Sequence, residues 1–302
     1  MSRQPRILIL GSTGQIGMEL QRSFSGAGEV VSCDRKTVDL AVQKQVRDVV
    51  RRVAPDVILN AAAYTAVDRA ESEPDIAMAV NGRAPEVLAE EASHLGALLV
   101  HYSTDYVFDG SKAGAWEETD ATKPLNTYGS SKLAGEDAIC RIGGKFLILR
   151  TSWVYGPHGS NFMLTMLRLG RERDQLKVVD DQIGAPTTSI ELARATRTLV
   201  DGLIAGRFGN VNSWAGIYHM TCGGSVSWCG FARTIFARSK AALGGRQPVV
   251  TPIPTSAYPT PAKRPMNSLL SNEKINARFG VRLANWEDAL DRALVELQGT
   301  TS

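Results

Sequence analysis

The sequence predicts an α/β fold, a doubly wound parallel sheet with a smaller C-terminal α/β lobe. Three observations carry this. Short apolar runs alternate with amphipathic stretches of helical period through the first half of the chain. A glycine-rich turn, GSTGQIG, directly follows the first apolar run. Hydroxyl, carboxyl and amide side chains stand just after the later runs, where such sheets hold their ligands.

The elements follow in order. RILIL, residues 6–10, reads as a buried parallel strand because four apolar residues run without interruption. QIGMELQRSF places Ile16, Leu20 and Phe24 on one helical face. EVVSCD is a second strand, and QKQVRDVVRRVAP an amphipathic helix stopped near Pro55. DVILNAAA is a strand ending at Asn60, followed by a helix from Asp75 that Gly96 terminates. ALLVHYSTD is the fourth strand; a long loop and the helix holding Lys132 precede the strand KFLILRTSWVYG. Beyond it, TTSIELARATRTLVDGLI is helical. VTPIPTSAYPTPAKRPMN carries Pro252, Pro254, Pro259, Pro261 and Pro265, a linker by composition. Helical periodicity resumes in WEDALDRALVELQ, so that stretch lies between ordered elements.

The chain has 302 residues, 43% of them hydrophobic, enough for a sizeable core. Its 34 basic and 31 acidic residues leave a net charge of +3 with no dense basic run, which argues against a nucleic-acid partner. Cys33, Cys140, Cys222 and Cys229 form no C-x-x-C pair and have no histidine in a zinc pattern. The expectation is a reduced, cytoplasmic setting. ILIL is too short for a signal-peptide core or a membrane span, so no membrane partner is expected.

Gly11, Gly14 and Gly17 sit between a strand and a helix, as a dinucleotide cradle requires. The turn needs a residue without a β-carbon, the backbone must approach a pyrophosphate, and the helix start offers unpaired N–H groups. Thr13, Gln15 and Ile16 complete the candidate loop. Asp34 closes the second strand about 20 residues on, where an acid binds the ribose of NAD. Arg35 and Lys36 follow at once and suit the 2′-phosphate of NADP, so both NADH and NADPH stay open. Asp39 and Leu40, and Ala62, Ala63 and Tyr64, follow later strands and flank the adenine and ribose.

Tyr128 and Lys132 are spaced i, i+4 and share a helix face. A phenol at its ordinary pKa of about 10 exchanges protons poorly at neutral pH, and a nearby ammonium favours the phenolate. Tyr128 can then protonate a carbonyl oxygen as hydride reaches the carbon. Thr104, at the end of the fourth strand, offers a hydroxyl to the same oxygen.

These motifs, with NAAAYTAVDRAESEP, HYSTDYVFDG, PLNTYGSSKLAGE, RTSWVYG, NFMLTMLRL, DDQIGAPT and YPTPAKRPMNS, span nearly the whole chain. Together they resemble the extended short-chain dehydrogenase/reductases and, within them, the dTDP-4-dehydrorhamnose reductase family. The resemblance implies a Rossmann-type domain over 1–160, joined by part of 186–222, and a mainly nucleotide-sugar-binding lobe over 161–302. It implies NAD(P)H-dependent reduction of a dTDP-4-keto sugar, with Tyr128 as general acid, Lys132 orienting it and binding the nicotinamide ribose, and Thr104 completing the triad. Asp105 and Trp153 match positions that contact the deoxysugar, and Arg264 is placed to grip the diphosphate. Met163 and Met166 read as core rather than pocket. Some family members bridge a dimer through magnesium held by glutamates, one of them at the position of Gln15. A neutral amide is a poor ligand for that cation, so magnesium is not expected, and the chain is expected to be a monomer or weak homodimer.

Two rivals differ in class. A dehydratase of the superfamily follows its threonine with Asp-Glu, whereas Thr104 is followed by Asp105 and Tyr106. An epimerase is opposed by the family stretches. A non-catalytic, NADP-binding regulatory subunit of a methionine adenosyltransferase calls for an eroded triad, which this sequence does not have.

Overall fold

The computed structural model describes residues 4–299. β1 (Arg6–Leu10), α1 (Gln15–Phe24), β2 (Glu29–Cys33), α2 (Gln43–Val53) and β3 (Val57–Asn60) alternate as the hydrophobic pattern dictates. Two short helices, α3 (Val67–Ala70) and α4 (Pro74–Met78), lead through a π-turn at Ala79–Arg83 into α5 (Ala84–Leu95), which Gly96 caps. β4 (Leu98–Thr104), α6 (Thr127–Ile142) and β5 (Phe146–Thr151) follow.

The remaining elements are shorter and more varied. They are β6 (Val154–Tyr155), α7 (Phe162–Glu172), β7 (Gln175–Val179), β8 (Ile183–Gly184), β9 (Thr187–Thr188) and α8 (Ser189–Ile204). Then come β10 (Gly216–His219), β11 (Val226–Ser227), α9 (Trp228–Arg238), β12 (Val249–Ile253), α10 (Glu273–Phe279) and α11 (Trp286–Gly299).

Six strands form one sheet in the order β2-β1-β3-β4-β5-β10, and every pairing in it is parallel. The order reverses between β1 and β3, which opens a ligand crevice beyond their carboxyl ends. Alternating side chains feed opposite faces of the sheet. Ile7, Ile9, Leu59, Val100 and Leu149 pack with Leu20 of α1 and Leu192 and Leu199 of α8. Leu8, Leu10, Ile58, Leu99 and Ile148 pack with Val46 and Val50 of α2 and Leu88 of α5. Both faces are covered, which is why these strands read as continuous apolar runs.

A third core joins Met163, Met166 and Leu167 of α7 to Phe231 and Ile235 of α9 and Leu290 of α11, so both methionines are core. The proline-rich stretch is not a linker. β12 lies within it and pairs in parallel with β7, with Pro252 opposite Val178. A two-stranded sheet leaves each strand an outer edge, where a residue lacking an N–H costs no ladder bond. The chain then returns to the first half. Ala262 N–H donates to Asp68 Oδ1 at 3.2 Å, Asn126 Nδ2 donates to Lys263 O at 2.8 Å, and Trp116 N–H donates to Leu269 O at 2.8 Å. Among the described residues, no helix is long and apolar enough to cross a membrane.

Candidate active site

The glycine loop lies at the β1 carboxyl end, against β3. Gly11 has φ +79°, and a β-carbon there would stand 2.7 Å from Ala62 N. At Gly17 a β-carbon would meet Gly11 O at 2.0 Å. The loop therefore demands glycine at both places, one for the turn and one for the contact of α1 with it. A cleft opens beside it, lined by Gly11, Thr13 and Gly14 from the loop, Asp34, Arg35, Asp39 and Leu40 beyond β2, and Ala62, Ala63 and Tyr64 beyond β3. Val38, Ile76 and Val80 add an apolar wall that the motif reading did not include. The fit to a dinucleotide is that of donor-rich backbone at one end and an apolar slot at the other.

Gln15, Ile16 and Gly17 do not line this cleft. They form the first turn of α1, and Gln15 Oε1 accepts from Asn161 Nδ2 at 3.1 Å. The Asp34 carboxylate caps its own turn, accepting from Thr37 N–H at 2.8 Å and Thr37 Oγ1 at 2.7 Å. Those bonds to Thr37 hold it below the usual carboxylate range. Arg35 is exposed at the rim. Among the described residues, no cluster of three or more His, Cys, Asp or Glu side chains is arranged to hold a metal ion.

The candidate catalytic groups gather at the carboxyl end of β4. Asn126 caps α6 by accepting from Gly129 N–H at 2.8 Å, which sets Tyr128 in the first turn and Lys132 one turn on. Burial pushes the Tyr128 phenol up to about 12, against the downward pull of its hydrogen bond with Thr104. The Lys132 ammonium is not among the groups that shift the phenol. Its Nζ donates to Tyr102 O at 2.6 Å and lies 3.1 Å from His101 Nε2. Burial brings Lys132 down to about 8, with Glu136 pulling the other way. Tyr128 is thus a protonated donor at neutral pH.

Thr104 Oγ1 donates to Asp105 Oδ1 at 3.1 Å and accepts from Tyr106 N–H at 3.1 Å, so its hydroxyl is held at the strand end. Burial raises Asp105 to about 7, opposed by hydrogen bonds from Ser268 and Thr104. Trp153 adopts φ +49° just past β5 and stacks on Trp228 with centroids 3.5 Å apart. Arg264 reaches back across the chain. Its Nη2 donates to Asp68 Oδ2 at 2.9 Å, and its guanidinium lies 6.0 Å from the centre of the Tyr106 ring. Tyr106 in turn meets Tyr128 edge-on at 5.5 Å. Thr104, Asp105, Tyr106, Tyr128 and Arg264 therefore share one neighbourhood. Asp68, which holds Arg264, was not singled out by sequence; its partner lies 196 residues away.

The model of the RmlD substrate binding domain family matches residues 5–298. The chain belongs to this family. It is 47% identical to the dTDP-4-dehydrorhamnose reductase of Burkholderia thailandensis over 299 residues, covering 97% of this chain and 99% of that one. The Salmonella typhimurium protein of the same name is 46% identical, covering 98% and 99%. Among solved structures, the Bacillus anthracis dTDP-4-dehydrorhamnose reductase in complex with NADP superposes with a TM-score of 0.87 at 35% identity, over 97% of this chain and 99% of that one. The Thermus thermophilus UDP-glucose 4-epimerase in complex with NAD, at 22% identity and a TM-score of 0.74, shares the fold. The glycine cradle and the Thr104–Tyr128–Lys132 neighbourhood of this RmlD-family chain thus sit on a sheet shared with dinucleotide-binding proteins.

Proposed function

We propose that this chain is an NAD(P)H-dependent dTDP-4-dehydrorhamnose reductase, reducing the C4 keto group of dTDP-4-dehydro-β-L-rhamnose to give dTDP-L-rhamnose. The observation that carries the reading is a protonated Tyr128 held beside Thr104 at the carboxyl end of β4, on the same sheet edge as the glycine loop after β1, in a chain similar over nearly its whole length to reductases of that name. The bound coenzyme supplies hydride. Gly11, Thr13 and Gly14 hold its phosphates, and Asp34 and Arg35 face its adenosine ribose. Ala62, Ala63 and Tyr64 line the slot beside them.

Thr104 and Tyr128 address the sugar oxygen, and Tyr128 gives it a proton. Lys132 holds the nicotinamide ribose and supports the phenolate that remains. Asp105 and Trp153 contact the deoxysugar. Arg264 exchanges Asp68 for the diphosphate, where a guanidinium pairs in bidentate fashion. Residues 161–302 form most of the sugar-nucleotide lobe, while α8 and β10 belong with the Rossmann-type half. The protein works as a monomer or weak homodimer in the cytoplasm.

The test mixes purified protein with NADPH or NADH and the dTDP-4-keto sugar and follows oxidation of the nicotinamide. Tyr128→Phe is expected to lower kcat about 10²- to 10⁴-fold while coenzyme binding persists. Wild-type protein that binds coenzyme yet turns over no sugar would refute the reading and favour the regulatory-subunit class.

A further inference from the structure

Trp153 stands two residues past Thr151, which pairs with Thr104 in the main sheet. Its φ of +49° is one that bulky side chains rarely adopt, and among the described residues only Ala54 shares a positive φ without being glycine. Such a conformation persists where its surroundings over-determine it. Here Ser152 Oγ donates to Ala185 O at 3.3 Å, Thr187 N–H donates to Trp153 O at 3.2 Å, and Val154 pairs with Thr187.

The ring is fixed as firmly as the backbone. Trp228, the first residue of α9, lies parallel to the Trp153 indole within 9°, with 3.5 Å between centroids. At that separation the rings overlap squarely, an arrangement that aromatic pairs left to themselves avoid in favour of offset or edge-on contact. One face of Trp153 is therefore filled. Gly184 covers the other. A β-carbon there would stand 2.5 Å from Trp153 Cε2, 2.8 Å from Cζ2 and 2.9 Å from Cδ2. Ring atoms occupy every in-plane direction at Cε2, so Gly184 approaches from a face, and Trp228 leaves it only the opposite one. Gly184 has no positive φ, so the indole alone bars a side chain at that position.

Both jaws come from one piece of structure. β8 and β11 pair antiparallel, with Gly184 opposite Val226 and Ile183 opposite Ser227. Ser227 caps α9, accepting from Gly230 N–H at 2.9 Å, and donates to Asp180 Oδ1 at 2.5 Å. Phe162 of α7 backs Trp228 at 4.6 Å. The backbone of Trp153 thus continues from the main sheet, while its ring is gripped by elements of the C-terminal lobe. Both tryptophans remain half-buried. With its faces covered, Trp153 has its edge left for a ligand. That edge is the positive side of the ring quadrupole and suits a sugar oxygen.

We propose that Trp228 is a positioning residue for the sugar: with Gly184 it clamps the Trp153 indole from both faces, so that Trp153 meets the deoxysugar with its edge. This rests on reading the site as one for a dTDP-4-keto sugar.

The test uses the full chain with NADPH and the dTDP-4-keto sugar. Trp228→Leu removes one jaw and keeps apolar volume; Gly184→Ala pushes on the ring from the other side. Each is expected to raise KM for the sugar about tenfold or more, with kcat and KM for NADPH changed by less than about threefold. Trp228→Phe keeps a ring to stack and should recover most of the sugar KM. An unchanged sugar KM in Trp228→Leu or Gly184→Ala would overturn the proposal. So would a loss of kcat alone or an equal rise in both KM values, which mark a packing role only. The unmutated protein gives a second readout by NMR, with the indole signals assigned from Trp153→Phe and Trp228→Phe. Overhauser contacts between the two rings are expected to persist when dTDP-L-rhamnose is bound; their loss would mean that the sugar enters between the rings, and would overturn the clamp. Absence of turnover in the unmutated protein would instead sink the reductase reading, and the ring contacts together with the dTDP-L-rhamnose Kd of the variants would still decide the clamp.

Discussion

Glu136→Gln isolates the ion pair that anchors the catalytic helix to the sheet. Glu136 on α6 and Arg150 on β5 are 1% and 2% exposed, joined by bonds of 2.6, 3.0 and 3.1 Å. Arg150 also lies 5.1 Å over the Phe108 ring, and its Nη1 has no protein partner. No solvent reaches the guanidinium to replace a lost carboxylate. Breaking a buried pair by removing one partner costs about 3–5 kcal/mol, a large share of a total stability of about 5–15 kcal/mol. With a urea slope of about 3 kcal/mol/M, the unfolding midpoint should fall by about 1–1.7 M. Glu90→Gln is the control. Glu90 meets Arg47 at 3.0 Å on the surface, and its loss should cost under about 1 kcal/mol. The assay is urea unfolding of the three proteins followed by circular dichroism. Equal midpoints for Glu136→Gln and Glu90→Gln would refute the reasoning, because burial would then carry no penalty. A second consequence has its own sign. Glu136 supports the Lys132 charge, so its neutralisation should lower Lys132 further and draw the alkaline limb of kcat/KM to lower pH.

Three further outcomes are expected. Asp105 is raised by burial to about 7, so the stability tied to its proton is complete below its unfolded value and is lost as pH rises through about 7. Asp105→Asn should match the wild type near pH 4 and exceed it at pH 8 by up to about 4 kcal/mol, read from denaturant unfolding at the two pH values. Gly17→Ala puts a methyl 2.0 Å from Gly11 O, so the loop must shift, and the coenzyme Kd should rise about 10- to 100-fold by fluorescence titration. Arg35→Ala should raise KM for NADPH about tenfold or more and leave KM for NADH nearly unchanged, since it removes one charge-assisted bond to the 2′-phosphate; equal effects on both coenzymes would assign Arg35 to the solvated rim.

The first half of the fold was legible because its signals are local. The strands ending at Leu10, Asn60 and Thr104 are apolar runs of a kind that only a sheet covered on both faces produces. The glycine spacing and the i, i+4 pair depend on neighbours within one turn of chain. What stayed hidden depends on distant partners. β12 contains Pro252, and composition alone argues against a strand there; its partner β7 lies about 70 residues earlier. The π-turn at Ala79–Arg83 has no composition signature. Asp68 carries no motif, and it matters because Arg264 folds onto it. His101 stands inside an apolar strand and carries no motif, yet it is fully buried within 3.1 Å of Lys132 Nζ. The lysine is legible as a cation, but its burial against Tyr102 O and His101 is not, because those groups stand on β4.

The return of the chain to its first half has a mechanical consequence. β10 completes the main sheet, α10 packs Ile275 and Phe279 into the core beneath it, and α11 then crosses back to the third core. The polypeptide thus passes between the two halves several times, laced rather than hinged at one seam. No single truncation frees either half with its core intact. Any shift of the third core against the main sheet has to flex all of these crossings together.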